Sequence, residues 1–209
     1  MTYLSFMKKR GVSRMQEEVM AKKALGDKIR GVICEIILLC CAVILGLYFI
    51  PTYVVQRTII DGQSMENSYH NGDNVIVSKF SYRIDDPERF DVITFYPFGK
   101  EKDSFGKFMQ VKLGLREKKK EDYYIKRVIG LPGETVQIRG ADIYIDGEKL
   151  VENYGKEPIE DVGIAGSPVK LKDDEYFVLG DNRGNSTDSR EIGPVKQETI
   201  SGKVVYNFK

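Results

Sequence analysis

A chain of 209 residues, of which 42% are hydrophobic, has room for one domain of moderate size and a membrane anchor, but little for a second independent enzyme domain. Its 32 basic and 31 acidic residues nearly cancel, which argues against nucleic acid as the main partner.

The N-terminal part of the chain predicts a membrane anchor. Residues 1–30 are rich in Lys and Arg, and residues 31–53 form an apolar run of the length that a helix needs to cross a bilayer core. We predict a transmembrane helix over 31–53. A buried core helix and a cleaved signal peptide are the alternatives, but the basic leader is long for a signal peptide and no small-x-small cleavage site follows it.

The charge on either side of this run predicts its orientation. Basic residues precede the run and are scarce just after it, so the positive-inside rule places the N-terminus in the cytoplasm. We therefore expect a cytoplasmic segment at 1–30, a single-pass helix at 31–53 in the cell membrane and an extracytoplasmic domain at 54–209. All three cysteines fall in the predicted span, so the outer domain has neither disulfides nor thiolate metal sites.

The outer domain has the pattern of a β protein. Its β-branched and aromatic residues concentrate in short runs at residues 75–79, 91–96, 123–129, 135–138, 143–145, 175–179 and 203–208. Leu131-Pro132-Gly133-Glu134 suits a type II turn, and Asp146-Gly147 suits a two-residue hairpin. We predict a mainly β, antiparallel domain with a polar insertion at about 98–122, which is solvated or, as the minor alternative, contacts lipid headgroups.

Two residues of this domain are candidates for Ser/Lys chemistry. Ser64 lies in a glycine-containing turn after an apolar run, where the backbone can approach a substrate closely. Lys126 lies in a predicted strand, on the same face as Tyr124 and Val128. A lysine is a general base only when neutral, and burial can lower its pKa from about 10.4 far enough. Taken singly, a turn serine more often bonds local backbone and a strand lysine more often reaches solvent.

A third element is the run Gly-Asp-Asn-Arg-Gly-Asn-Ser-Thr-Asp-Ser-Arg at residues 180–190, directly after an apolar strand. It suits an Asx-rich surface loop that has no further role. Alternatively, Asp188 and Arg190 form a supporting ion pair, and Ser186 holds the ammonium of a catalytic lysine.

Five sequence blocks resemble the type I signal peptidases, the membrane-bound Ser/Lys endopeptidases of bacteria that remove signal peptides from exported proteins. In the family's order, these blocks are residues 62–65, 72–77, 91–95, 124–133 and 180–190. The resemblance covers the membrane anchor and nearly all of the outer domain. It implies the family's antiparallel β-sheet fold and cleavage after small residues, of the Ala-x-Ala type, through an acyl-enzyme.

The resemblance also implies roles for individual residues. Ser64 matches the nucleophile, Lys126 the general base and Ser186 the hydroxyl that orients the lysine. The structural supports of the family match Asp181, Arg183, Asp188 and Arg190.

Around the nucleophile, the family's oxyanion hole uses the backbone amide of the serine, helped in some members by a hydroxyl two residues earlier. That position is Gly62 here, so Ser64 N is the main expected donor. Many members have proline at the position of Asn67, which leaves the rigidity of this turn open. The candidate walls of the pockets for an extended substrate are Ile60, Met65, Tyr124 and Ile125.

The resemblance implies signal peptides of preproteins as substrates, with the lipid bilayer and the secretion translocon nearby. Ser64 lies only about ten residues past the predicted span, which keeps it near the membrane. Neither a ligand cluster nor a phosphate-binding glycine motif is present, so no metal or organic cofactor is implied.

Three other interpretations deserve comparison. The only histidine, His70, would be the base of a Ser/His mechanism, but it lies in a turn that reads as exposed. Cytosolic self-cleaving repressors use Ser/Lys dyads, but they have a DNA-binding domain and no membrane span. From a different class, an anchored β-domain that binds an export partner without hydrolysis would not need Ser64 or Lys126.

Overall fold

The computed structural model describes residues 3–97, 105–113, 123–155 and 158–208, and the chain divides into the units Met1–Leu47 and Tyr48–Lys209. Helix α1, Tyr3–Phe49, accounts for the described part of the first unit. A π-helical turn, Ile50–Val54, follows it and has Pro51 near its start, where the missing N–H of proline is tolerated.

The N-terminal helix contains the predicted apolar run. Within the described residues, one helix is long and apolar enough to cross a membrane, and the most apolar 18-residue window of the candidate span Lys22–Val54 has a mean hydropathy of 2.7. None of its most apolar window is buried, unlike the core helix of a soluble domain. Of the expected span 31–53, residues 31–49 belong to α1, which begins well before them, and residues 50–53 belong to the π-helical turn. The crossing of a membrane stays a prediction.

The second unit is built from antiparallel strands, as predicted. Its strands are β1 Val55–Ile59, β2 Asn74–Ser78, β3 Val92–Phe95, β4 Tyr124–Gly130, β5 Thr135–Arg139, β6 Asp142–Ile145, β7 Glu148–Lys149, β8 Val169–Lys170, β9 Glu175–Leu179, β10 Val195–Lys196 and β11 Ile200–Phe208. One sheet has the order β1-β2-β11-β3-β4-β9-β10, and a second has the order β7-β6-β5-β8.

Each run that was predicted as a strand contains one. Strand β1 was missed, because its five residues follow the apolar helix directly and only Thr58 among them is buried. Among the described residues, the strands β7, β8 and β10 have two residues each, too few for a visible alternation.

The two predicted turns are also present. Glu134 N donates to Leu131 O at 3.1 Å, and Gly133 has a φ of +77°, as a type II turn requires. Asp146 and Gly147 have φ values of +50° and +90°, which match the hairpin turn expected between β6 and β7.

The expected insertion at 98–122 lies mostly outside the described residues. Its described part includes helix α2, Phe105–Lys112.

The large sheet brings the candidate residues together. Strands β1 and β2 form a hairpin whose loop holds Ser64, and β4 lies between β3 and β9 in the same sheet. The run at 180–190 leaves the end of β9 and leads into the short helix α3, Ser189–Ile192. One apolar cluster joins Ile60 and Met65 to Ile125 of β4.

Candidate functional site

The loop between β1 and β2 is closed at its neck by backbone hydrogen bonds. Ile60 N donates to Asp73 O and Gly72 N donates to Ile60 O, both at 2.9 Å. Met65 anchors the loop, because its side chain is buried in the apolar cluster directly after Ser64. The serine is thereby held at the surface of the sheet by its buried neighbour.

The backbone before Ser64 is fixed by side chains from two directions. Gly62 has a φ of +118°, a value that favours glycine, and its amide donates to Asn71 Oδ1 at 2.9 Å. Asn182 donates its side-chain amide to Gln63 O at 3.1 Å and its backbone amide to Ser64 O at 3.0 Å. The Gly62 amide is thus engaged, whereas the Ser64 amide has no protein acceptor within the described residues.

The turn after Ser64 is built on Asn67. Asn67 has a φ of +79°, whereas a proline ring fixes φ near −65°, so proline does not fit this backbone conformation. The turn is held instead by Ser68 N and Tyr69 N, which donate to Met65 O at 3.1 and 2.8 Å. The departure from the family's proline is therefore matched by a different local conformation.

Lys126 lies opposite Ser64. Its side chain is only 4% exposed, and Nζ donates to Ser64 Oγ at 2.7 Å. Nζ also lies 5.4 Å from the centre of the Tyr124 ring, as expected for residues on the same face of a strand. Burial lowers the pKa of Lys126 from 10.5 to about 8, against the opposing charges of Asp188 and Asp181. The burial of Lys126 is the environment that the predicted fall of its pKa requires.

His70 is differently placed. Its side chain is 64% exposed, and Nδ1 pairs with Glu66 Oε2 on the same loop. The basic group in hydrogen-bond contact with Ser64 is Lys126, so the geometry does not favour a Ser/His pair.

Sequence reasoning assigned no role to Arg127, yet this residue joins β4 to the run at 180–190. Its Nε and Nη2 donate to both carboxylate oxygens of Asp181 at 2.8 and 2.6 Å, and both side chains are buried. Nη1 donates to Phe90 O at 2.9 Å, and Nη2 donates to Ser68 Oγ at 3.3 Å. The available signal was a charged residue in an otherwise apolar strand, which must be paired when buried.

The ion pair expected between Asp188 and Arg190 is confirmed. Arg190 Nε and Nη2 donate to the Asp188 carboxylate, each at 2.9 Å, and Gly180 N donates to Asp188 Oδ2 at 3.0 Å. Asp188 is completely buried and caps α3 through the amide of Arg190. These bonds fold the run at 180–190 back onto the end of β9.

Arg183 is the other buried arginine of this run. Its Nε donates to Gly180 O at 2.9 Å, while Nη1 and Nη2 contact the Glu152 carboxylate at 2.6 and 2.7 Å. Glu152 was not anticipated, because it follows β7 in the other sheet and no local pattern connects it to this run.

Ser186 lies beside Gly180 at the centre of this run. A Cβ on Gly180 would overlap both Ser186 Oγ and Ser64 O, so only glycine lets these two oxygens lie this close to the backbone at position 180. Ser186 Oγ is buried and has no hydrogen-bond partner among the described residues. Within the described residues, Ser186 therefore makes no side-chain hydrogen bond to Lys126, and the orienting role stays a prediction.

A groove of about 1190 Å³ runs past Ser64 and Lys126. All the predicted pocket walls line it: Ile60, Met65, Tyr124 and Ile125. The groove also follows residues 56–59 of β1, an edge strand of the large sheet. Its position beside an edge strand suits an extended peptide.

No group of metal-ligating side chains is found in the described part of the chain.

Comparison with known proteins gives consistent matches. The family model described as "Signal peptidase, peptidase S26" matches residues 32–208. A relative from Leptolyngbya laminosa, "Signal peptidase I", is 39% identical over 76% of this chain and 71% of its own. "Probable signal peptidase I-2" of Synechocystis sp. is 38% identical over 76% of this chain, but the match spans only 65% of that relative.

Among solved structures, a signal peptidase I from Enterococcus faecalis is 32% identical, with a TM-score of 0.40. That match covers 57% of this chain and 97% of the other.

Proposed function

The chain belongs to the signal peptidase family, peptidase S26, and on that premise we propose that it is a membrane-anchored serine endopeptidase that removes signal peptides from exported preproteins. The observation that carries this proposal is the hydrogen bond of 2.7 Å between Lys126 Nζ and Ser64 Oγ beside a groove for an extended chain. The burial of Lys126 lowers its pKa to about 8, which increases the fraction of neutral amine near physiological pH.

In the proposed first step, the Ser64 proton passes to neutral Lys126 Nζ as Ser64 Oγ attacks the scissile carbonyl carbon. The negative charge that develops on the carbonyl oxygen is stabilised by the Ser64 amide, which Asn182 and Asn71 support by fixing the adjoining backbone. The C–N bond then breaks, and the Lys126 ammonium returns the proton to the leaving amine. An acyl-enzyme on Ser64 remains.

In the second step, Lys126 Nζ takes a proton from a water molecule that attacks the ester carbonyl of the acyl-enzyme. Collapse of this intermediate releases the signal peptide and returns the proton to Ser64 Oγ. The buried pair Arg127–Asp181 keeps β4 against the run at 180–190 through both steps, and the pair Arg190–Asp188 holds that run in its own fold. Ser186 is proposed to orient the lysine once substrate fills the groove.

We further propose that cleavage follows small residues one and three positions before the cut, and that Ile60, Met65, Tyr124 and Ile125, which line the groove beside Ser64, are the walls of the pockets for these residues. The apolar helix and the basic residues before it support a single-pass anchor with the catalytic domain outside the cytoplasm.

The test uses the full chain in detergent and a preprotein with an Ala-x-Ala site, with the new N-terminus read by mass spectrometry. We expect a cut after the final alanine by the wild type and by Lys149→Ala, a control at an exposed lysine. Ser64→Ala and Lys126→Ala should lower the rate of this cleavage by about 10³-fold or more. If the folded wild type does not cut, the anchored binding domain becomes the better hypothesis.

A further inference from the structure

Two buried arginines of the site contact the same short segment, residues 152–155, which follows β7 of the four-stranded sheet. Arg127 is 5% exposed and Arg183 is 2% exposed. The proposed reaction steps do not use this segment, yet it contacts the side chains that join β4 to the run at 180–190.

Tyr154 packs on the first arginine. The Arg127 guanidinium carbon lies 3.5 Å from the centre of the Tyr154 ring, a stacking distance that suits a planar cation. The N–H groups of the same guanidinium point to Asp181, Phe90 O and Ser68. The ring thus covers the face of a cation whose edges are already bonded.

Phe90 adds to this contact. It has a φ of +73°, which is unfavourable for a large side chain, and its ring centre lies 5.5 Å from that of Tyr154. Its amide donates to Val128 O at 2.8 Å, and its carbonyl accepts from Arg127. Tyr154 therefore packs on both the arginine and the strained residue that this arginine holds.

Glu152 and Gly155 contact the second arginine. Glu152 binds both terminal nitrogens of Arg183, which in turn donates to Gly180 O at 2.9 Å, and Gly180 touches Ser186 and Ser64 O. Gly155 has a φ of +64°, and a Cβ there would overlap the Arg183 guanidinium. Only a glycine lets the backbone at position 155 lie this close to the Arg183 guanidinium without displacing it.

We propose that segment 152–155 is a positioning element for the Ser64–Lys126 pair, in which Tyr154 keeps Arg127 on Asp181 and Glu152 keeps Arg183 on the Gly180 carbonyl. This inference rests on the proposed function. Neither residue touches the reacting atoms, and each acts through an arginine.

The positioning role has a measurable electrostatic consequence. The charged and titratable groups that act on Lys126, or pair with those that do, are Asp181, Asp188, Arg127, Arg190 and Tyr124. The negative charge of Asp181 raises the pKa of Lys126, and Arg127 neutralises that charge. If Arg127 moves away from Asp181, the pKa of Lys126 rises, and more alkaline solution is needed to deprotonate it.

The principal test compares Tyr154→Leu with Tyr154→Phe in the full chain, using the preprotein assay over a range of pH. Tyr154→Leu should lower kcat about tenfold, with KM changed less than about twofold. It should also move the acid limb of kcat/KM upward by about half a pH unit. Tyr154→Phe keeps the ring and should restore both values. Tyr144→Leu, at a tyrosine stacked with Arg139 in the four-stranded sheet, should resemble the wild type.

Glu152→Gln is the second variant, because its shape is conserved and it tests the other arginine if Tyr154→Leu does not fold. It should lower kcat severalfold at unchanged KM. The inference is overturned if the folded variants keep the wild-type kcat and pH limb. It is also overturned if activity falls only with the folded fraction, measured by circular dichroism, and the limb stays in place. Absence of cleavage by the wild type would instead contradict the proposed function.

Discussion

The serine side and the lysine side of the groove are constructed differently. On the serine side, residues 60–73 form a hairpin loop held mainly by backbone hydrogen bonds, and the side-chain pair Glu66–His70 has a half-buried carboxylate and an exposed imidazole. On the lysine side, β4 and the run at 180–190 contain charged side chains that are almost completely buried. Their pairs are Arg127–Asp181 and Arg190–Asp188.

This difference indicates which side of the groove contributes to the stability of the domain and which side contributes mainly to its activity. Removing one partner of a buried ion pair lowers the free energy of unfolding strongly, whereas an exposed pair contributes little to it. The lysine side must hold an amine at a lowered pKa, which requires a dry and rigid surrounding. The serine side must leave a backbone amide available to substrate. We therefore expect variants of the lysine side to affect stability and activity, and variants of the serine side to affect mainly activity.

The largest loss of stability is expected for Asp181→Asn on the lysine side. It leaves Arg127 buried without its carboxylate, which should cost about 3–5 kcal/mol of unfolding free energy and most of the activity. Thermal and denaturant unfolding of the full chain, followed by circular dichroism, measures this.

The matched control is Asp142→Asn, which breaks an exposed pair with Lys149 in the four-stranded sheet and should cost less than about 1 kcal/mol. Equal effects of the two substitutions would remove the contrast between buried and exposed pairs.

A smaller effect on stability is expected for Gly180→Ala. The added methyl overlaps Ser186 Oγ and Ser64 O, so overpacking should cost about 1–3 kcal/mol. Displacement of the serine backbone should lower kcat about 100-fold. Gly184→Ala, in the same run but with open space around its Cα, should preserve both quantities. Steady-state kinetics that do not distinguish these two alanines would show that the close contact at Gly180 has no role.

The smallest change in stability belongs to the serine side, at Asn71→Ala. This substitution removes the acceptor of the Gly62 amide and should cost at most about 1 kcal/mol. Greater freedom of the backbone before Ser64 should lower kcat about tenfold, which kinetics and unfolding measured on the same sample will separate. Asn71→Asp keeps an acceptor oxygen and should recover most of the rate. A loss of stability as large as that of Asp181→Asn would contradict the proposed difference between the serine side and the lysine side.

The strands were predictable wherever apolar and polar residues alternate or an apolar run ends at a turn residue. Strand β4 and the turns at Gly133 and Gly147 are examples. Strand β1 was not predictable, because it starts directly after the π-helical turn and only Thr58 among its residues is buried. The order of the strands in the sheet could not be predicted from the sequence pattern either. Strand β11 lies between β2 and β3, and these neighbours are distant in the chain.

Within the site, local motifs predicted Ser64, Lys126 and the Asp188–Arg190 pair, because each is carried by a few consecutive residues. The contacts of Glu152 and Tyr154 with the buried arginines were missed, because they join separate parts of the chain. The φ of Asn67 was missed for another reason, since its preference depends on the hydrogen bonds of the whole loop.

The central claim is that Ser64 is activated by a lysine whose pKa is lowered by burial. The most direct measurement is the pH dependence of kcat/KM for preprotein cleavage, with His70→Gln beside the wild type. Lysine is a base only in its neutral form, so activity should rise as pH increases through about 8 and then level off, equally in both proteins. A rise centred near pH 6.5 that disappears in His70→Gln would contradict the account.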